Sequence, residues 1–79
     1  MKNNYTNVEK EQLKKFGAHL RTVRLDCHFS QEKLADVAGL NRTYLGDVER
    51  GERNISLLNL IKLSKALKCA LVELLPENL

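Results

Sequence analysis

The chain has 79 residues, 43% hydrophobic and 29% charged, with thirteen Lys and Arg against ten Asp and Glu. A chain this short makes one small domain, and burial of roughly 60% of its unfolded surface leaves little room for a catalytic cavity. The composition excludes a disordered chain, while a net charge of +3 is too mild to establish a nucleic-acid partner until the positions of the charges are known.

Residues 1–8 read as a polar tail that can bury almost nothing. The tail lacks the apolar core of a signal peptide, and no later run approaches the ~18 apolar residues of a membrane span. A cytoplasmic protein with no membrane partner is expected. From about Glu9 the pattern turns helical: Leu13, Phe16, Leu20, Val23 and Cys27 form one apolar stripe, with Lys14, Lys15, Arg21 and Arg24 off it. Gly17 costs this helix about 1 kcal/mol without stopping it. The helix ends near Asp26-Cys27-His28. Cys27 and Cys69 each close an apolar stripe and read as packed thiols rather than a disulfide.

Ser30 suits an N-cap, and the second helix spans about Gln31–Ala38, with Leu34, Ala35 and Ala38 inward and Val37 partly covered. Gly39 ends it in the left-handed conformation that helix C-termini favour. Asn41 caps a third helix, about Arg42–Glu49, with Leu45 and Val48 inward and Gly51 as its stop. Ser56 caps a fourth, about Leu57–Leu67, and a fifth turn or short helix, about Leu71–Leu75, runs into Pro76. The expected fold class is all-α: a compact bundle of about five short helices over residues 9–79, with no internal linker.

Two short helices joined through Gly39-Leu40-Asn41 have the spacing of a helix-turn-helix. Such helices need a small residue where they cross, which Ala35 supplies, and a residue free to take positive φ in the turn, which Gly39 supplies. Leu45 and Val48 pin the back of the third helix. Arg42, Thr43, Asp47 and Arg50 are left outward, with Tyr44 at the side, and Arg, Thr, Asn and Tyr are donors suited to base edges and phosphates.

The stretch from Phe29-Ser30-Gln31-Glu32-Lys33-Leu34-Ala35 through Gly39-Leu40-Asn41-Arg42-Thr43-Tyr44-Leu45 to Val48-Glu49-Arg50-Gly51 strongly resembles the lambda-repressor-like helix-turn-helix family, the Cro/C1 or XRE type. The resemblance continues through Arg53-Asn54-Ile55-Ser56-Leu57 and Leu60–Leu67, covering roughly residues 12–75. Asn41–Tyr44 with Glu49–Asn54 looks most like the controller proteins of restriction-modification systems, small dimeric regulators without a second domain. What the resemblance implies is a sequence-specific transcriptional regulator that binds operator DNA through the helix at about 42–49. It places Gln31 at a phosphate, Arg42 and Thr43 at bases, and Tyr44 near the DNA backbone or, equally, over the edge of the core. Arg50, Arg53 and Asn54 fall in a loop that supplies phosphate donors. Arg24 and Glu49 match a structural ion pair, so Arg24→Ala is expected to destabilise the fold.

Asp47 departs from a face built for phosphate. It can accept from cytosine N4 or pair with Arg42 or Arg50, and the intramolecular pairing is slightly favoured. Gly46, odd inside a helix, either admits a close backbone approach to DNA or is merely tolerated.

The fourth helix carries more leucine than one core face needs. Leu57, Leu60, Leu63 and Leu67 fit the core; Leu58 and Ile61 are left over, as are Val72 and Leu75 near the end. This surplus suggests a twofold homodimer through Leu58, Ile61, Val72 and Leu75, reading two half-sites of a palindromic operator.

No catalytic residues, metal ligands, cofactor or small-molecule ligand are expected. His19, Cys27, His28 and Cys69 lack metal-ligand spacing, and no nucleotide-binding glycine motif is present. Against the DNA-binding regulator stands one alternative of another class, an antitoxin or protein-interaction module on the same fold. The donors on the third helix favour the regulator.

Overall fold

Thr6 begins the first helix in the computed structural model, which describes residues 4–79. Its hydroxyl accepts from the Glu9 backbone N–H at 3.1 Å, and its own N–H donates to the Glu9 carboxylate at 2.9 Å. This reciprocal capping box satisfies two backbone donors that a helix start otherwise leaves unpaired. Helix α1 therefore runs Asn7–Asp26. The expected polar tail ends two residues early, because Asn7 and Val8 already belong to the helix; residues 1–3 lie outside the described residues.

Helix α1 closes with His28 at φ 62, a left-handed residue that is not glycine, and the Phe29 N–H donates to the Arg24 carbonyl at 3.1 Å. Because the helix has ended, Cys27 turns outward: it is exposed, which corrects its place on the buried stripe. Cys69 is half-buried beside the core, and both thiols are free.

Three further helices follow, each begun by a side chain that accepts from the backbone: α2 (Gln31–Ala38) by Ser30, α3 (Arg42–Glu49) by Asn41, and α4 (Leu57–Leu67) by Ser56. Gly39, at φ 73, turns the chain between α2 and α3, and the Leu40 N–H caps the Ala35 carbonyl at 2.8 Å. The fifth element is a single 3-10 turn, Leu71–Leu74, held by the Glu73 carboxylate accepting from the Ala70 N–H at 2.8 Å. Among the described residues the all-α expectation thus stands as four α-helices and one 3-10 turn.

Each element contributes one leucine to the centre. Leu20, Leu34, Leu45, Leu63 and Leu74 are each 0% exposed, and Phe16, Ala35, Val48 and Leu67 fill between them. Helix α1 packs on α3 and on the 3-10 turn; α2 packs on α3 and α4. The crossing of α1 and α3 is made by Gly17. A Cβ there would lie 2.5 Å from the Glu49 carbonyl oxygen and closer still to that of Val48. Gly17 is therefore required by the backbone of α3, where the sequence showed only a tolerated cost.

The far end is strapped to α1 by three bonds to backbone carbonyls: Gln12 to Leu79 at 2.9 Å, Lys15 to Asn78 at 3.3 Å and the His19 ring to Glu73 at 2.9 Å.

Leu57, expected inward, and Val37, expected to be partly covered, both lie on the surface. Leu57 is 63% exposed: six residues before the buried Leu63, it lies about 120° around α4 from it. Val37 is exposed on the outer side of α2. No helix among the described residues is long and apolar enough to cross a membrane.

Candidate nucleic-acid interface

Helix α3 is anchored from behind and open in front. Leu45 and Val48 sink into the core, one turn apart, and this fixes which side chains face away. Arg42 and Thr43, in the first turn, are exposed, and neither side chain has a hydrogen-bond partner among the described residues. Tyr44 lies at the margin, half-buried. Its hydroxyl accepts from Asn59 of α4 at 3.1 Å, and the Arg53 guanidinium stands over its ring, 5.1 Å from the centroid. A cation over an aromatic face is attracted by the ring's quadrupole, so the loop after α3 is tied to the helix it follows. Asn54, next along that loop, is exposed.

Beneath this surface sits a buried ion pair. Arg24 of α1 meets Glu49 of α3 through two parallel bonds, Nε to Oε2 at 2.7 Å and Nη2 to Oε1 at 3.0 Å, with side chains only 6% and 2% exposed. Arg24 Nη1 also donates to the Phe29 carbonyl at 2.8 Å. Buried charge is tolerated only when paired and fully hydrogen-bonded, and no buried side-chain polar atom among the described residues lacks a partner.

Gln31, first residue of α2, donates from Nε2 to Glu49 Oε1 at 2.9 Å. Its amide is thereby fixed to the same carboxylate. An open cleft of about 440 Å³, lined by Arg24, Ser30, Gln31, Glu32 and Arg42, lies between the N-termini of α2 and α3. Unpaired backbone N–H groups at a helix start favour anions.

Asp47 pairs with Arg50, the intramolecular option read from the sequence, and Arg50 Nε donates as well to Glu52 at 3.3 Å. Gln31, Arg42, Thr43, Tyr44, Asp47, Arg50, Arg53 and Asn54 are thus gathered along α3, the start of α2 and the loop after α3. The supporting bonds from Asn59 and Glu49 had no signal in the sequence, because their partners lie 15 and 18 residues away along the chain.

The other sequence-derived set, Leu58, Ile61, Val72 and Leu75, lies on α4 and the C-terminal segment. Leu58 and Val72 are both 70% exposed and Leu75 is 41% exposed, whereas Ile61 is half-buried.

Comparison with known proteins matches residues 20–74 to the model of a helix-turn-helix family. The chain is 55% identical to control protein C.BamHI of Bacillus amyloliquefaciens over 53 residues, 66% of this chain and 65% of that relative. It is 49% identical to control protein C.SmaI of Serratia marcescens over 60 residues, 76% of this chain and 71% of that relative. The chain spans just under two thirds of the first relative's length and more than two thirds of the second's. In structure it matches the restriction-modification controller protein C.AhdI from Aeromonas hydrophila with a TM-score of 0.80 and 50% identity, over 81% of this chain and 97% of that one. Taken with the helix-turn-helix geometry, these similarities mean that the chain belongs to the helix-turn-helix family of DNA-binding transcriptional regulators, in the group of the restriction-modification controller proteins.

Proposed function

We propose that this chain binds operator DNA sequence-specifically as a homodimer and regulates transcription of a restriction-modification system. One observation carries the reading: Arg42 and Thr43 stand exposed, with no side-chain partner among the described residues, on the first turn of a helix whose back is pinned by Leu45 and Val48. Arg42 is suited to guanine O6 and N7, and Thr43 to a thymine methyl or a phosphate. Gln31 at the start of α2, together with Tyr44, Arg50, Arg53 and Asn54, would hold the duplex backbone. Such contacts set register while the base contacts set sequence.

The exposed Leu58, Val72 and Leu75 support a twofold interface, with Ile61 beside them. A protomer 32 Å in its longest dimension can place two copies of α3 about one DNA turn, ~34 Å, apart. A palindromic operator follows from that symmetry, and the cytoplasm is the compartment this reading assigns to the chain. The control proteins among the relatives support the restriction-modification setting.

The test is an electrophoretic mobility shift with the DNA upstream of the chain's own gene, over a salt series. Specific binding that weakens steeply as salt rises is expected. A co-purifying protein partner with no specific DNA binding at moderate salt would sink the proposal and favour an antitoxin-like module.

A further inference from the structure

Two residues of α3 suit DNA reading poorly. Asp47 sets a carboxylate where phosphate must approach, and Gly46 weakens the interior of a helix that has only eight residues. Arg50 gives both a purpose. Its side chain folds back along α3, where Nη2 bonds the Asp47 carboxylate while Nε bonds Glu52 at 3.3 Å. A Cβ on Gly46 would stand 3.3 Å from Arg50 Nη1 and 3.5 Å from Gln31 Oε1. Glycine at 46 therefore spares the guanidinium a tight contact with a Cβ. One cation is thus paired with two carboxylates, and the three side chains together carry a net negative charge on a face otherwise supplied with arginine.

All three side chains are partly exposed to solvent. Surface pairs of this kind add little to folding. We propose that Asp47 and Glu52 clamp Arg50, so that only a duplex seated deeply enough to replace both carboxylates gains this contact, and that the three residues thereby set the margin between operator and random DNA. The inference rests on the reading of this face as the operator-binding surface. Non-specific affinity grows with the number of phosphates a protein neutralises. A loosely docked duplex finds Arg50 already occupied and meets two like charges. A duplex drawn in by Arg42 and Thr43 brings an acceptor within hydrogen-bond reach and releases the clamp. Specificity is a difference of affinities, and a repulsive element against the wrong partner widens it as surely as an attractive one for the right partner.

The test is a mutant cycle on two duplexes of equal length: the segment upstream of the chain's own gene, and a scrambled version of the same composition. Wild type, Arg50→Ala, the pair Asp47→Asn with Glu52→Gln, and the triple variant are titrated over a salt series, with helical content checked by circular dichroism. In the wild-type background, Arg50→Ala should weaken the upstream duplex about tenfold and the scrambled one less than about twofold. Removing both carboxylates should tighten the scrambled duplex about tenfold and steepen its salt dependence by about one released counterion, and the triple variant should lose that gain. The same factor for Arg50→Ala on the scrambled duplex in both backgrounds would mean that the carboxylates act by bulk charge alone, and the clamp falls. An Arg50→Ala variant that leaves the upstream duplex unaffected overturns it too. Failure of the wild type to bind either duplex at low salt refutes the operator-binding reading itself, and the clamp with it.

Discussion

At the scale of single residues, Gly17 is where two physical effects oppose each other and can be ranked. Replacing a helix-interior glycine by alanine ordinarily gains about 1 kcal/mol of helix propensity. Here the new Cβ would meet the Val48 and Glu49 carbonyl oxygens, rigid backbone atoms that cannot step aside. Forced overpacking costs about 1–3 kcal/mol, so Gly17→Ala should lower stability in urea titration, opposite to the propensity expectation. Arg24 is a second such residue. Removing it leaves Glu49 buried and charged, a loss of about 3–5 kcal/mol, against a total of about 4–12 kcal/mol for a domain of this size. Arg24→Ala should therefore unfold at far lower denaturant, and any loss of DNA binding should track the unfolded fraction. Arg42→Ala should do the reverse. Its side chain is exposed, so helical content and midpoint should hold, while discrimination against a changed guanine falls by about 1–3 kcal/mol in competition binding.

At the scale of elements, local chemistry decided what could be read in advance. The bounds of α2, α3 and α4 were legible because Ser30, Asn41 and Ser56 stand immediately before their helices, and Gly39 immediately after one. The start of α1 was equally well marked, by Thr6 and Glu9 three residues apart, but that signal lay inside a stretch polar enough to read as tail. Thr6→Ala should cost about 0.5–2 kcal/mol and fray the first turn, seen as faster amide exchange at Glu9 and Lys10, whose N–H groups donate to Thr6. Steps of three from Leu63 back to Leu57 drift about 120° around the helix, so the stripe expected from spacing turns away from the core at its first residue. Elsewhere the sequence was silent for a physical reason. Spacing could not show that Gln31 and Glu49 share a bond, or that Arg53 lies over Tyr44, since tertiary packing alone brings those pairs together. The exposed side chains of α3 were legible by type and spacing, as were the Asp47–Arg50 and Arg24–Glu49 pairs; the bonds of Gln31 to Glu49 and of Asn59 to Tyr44 were not.

At the scale of the whole molecule, the division of the surface is the main result. Helix α3 and its flanks carry three of the four exposed arginines, Arg42, Arg50 and Arg53; α4 and the C-terminal segment carry Leu58, Val72 and Leu75. A charge on the second surface should act on assembly without touching the first. Leu58→Glu should keep the monomer's stability, because Leu58 is 70% exposed, while shifting sedimentation toward a single protomer and weakening operator binding. The five central leucines bear on something else, the order of events during synthesis. Leu20 and Leu74 belong to one core but are made about 3–11 s apart at ribosomal speeds of roughly 5–20 residues per second. Helical domains close in microseconds to milliseconds once their parts are present. The core therefore waits on its last leucine, and a nascent chain halted short of residue 74 presents helices α1 and α4 without the turn that packs against both.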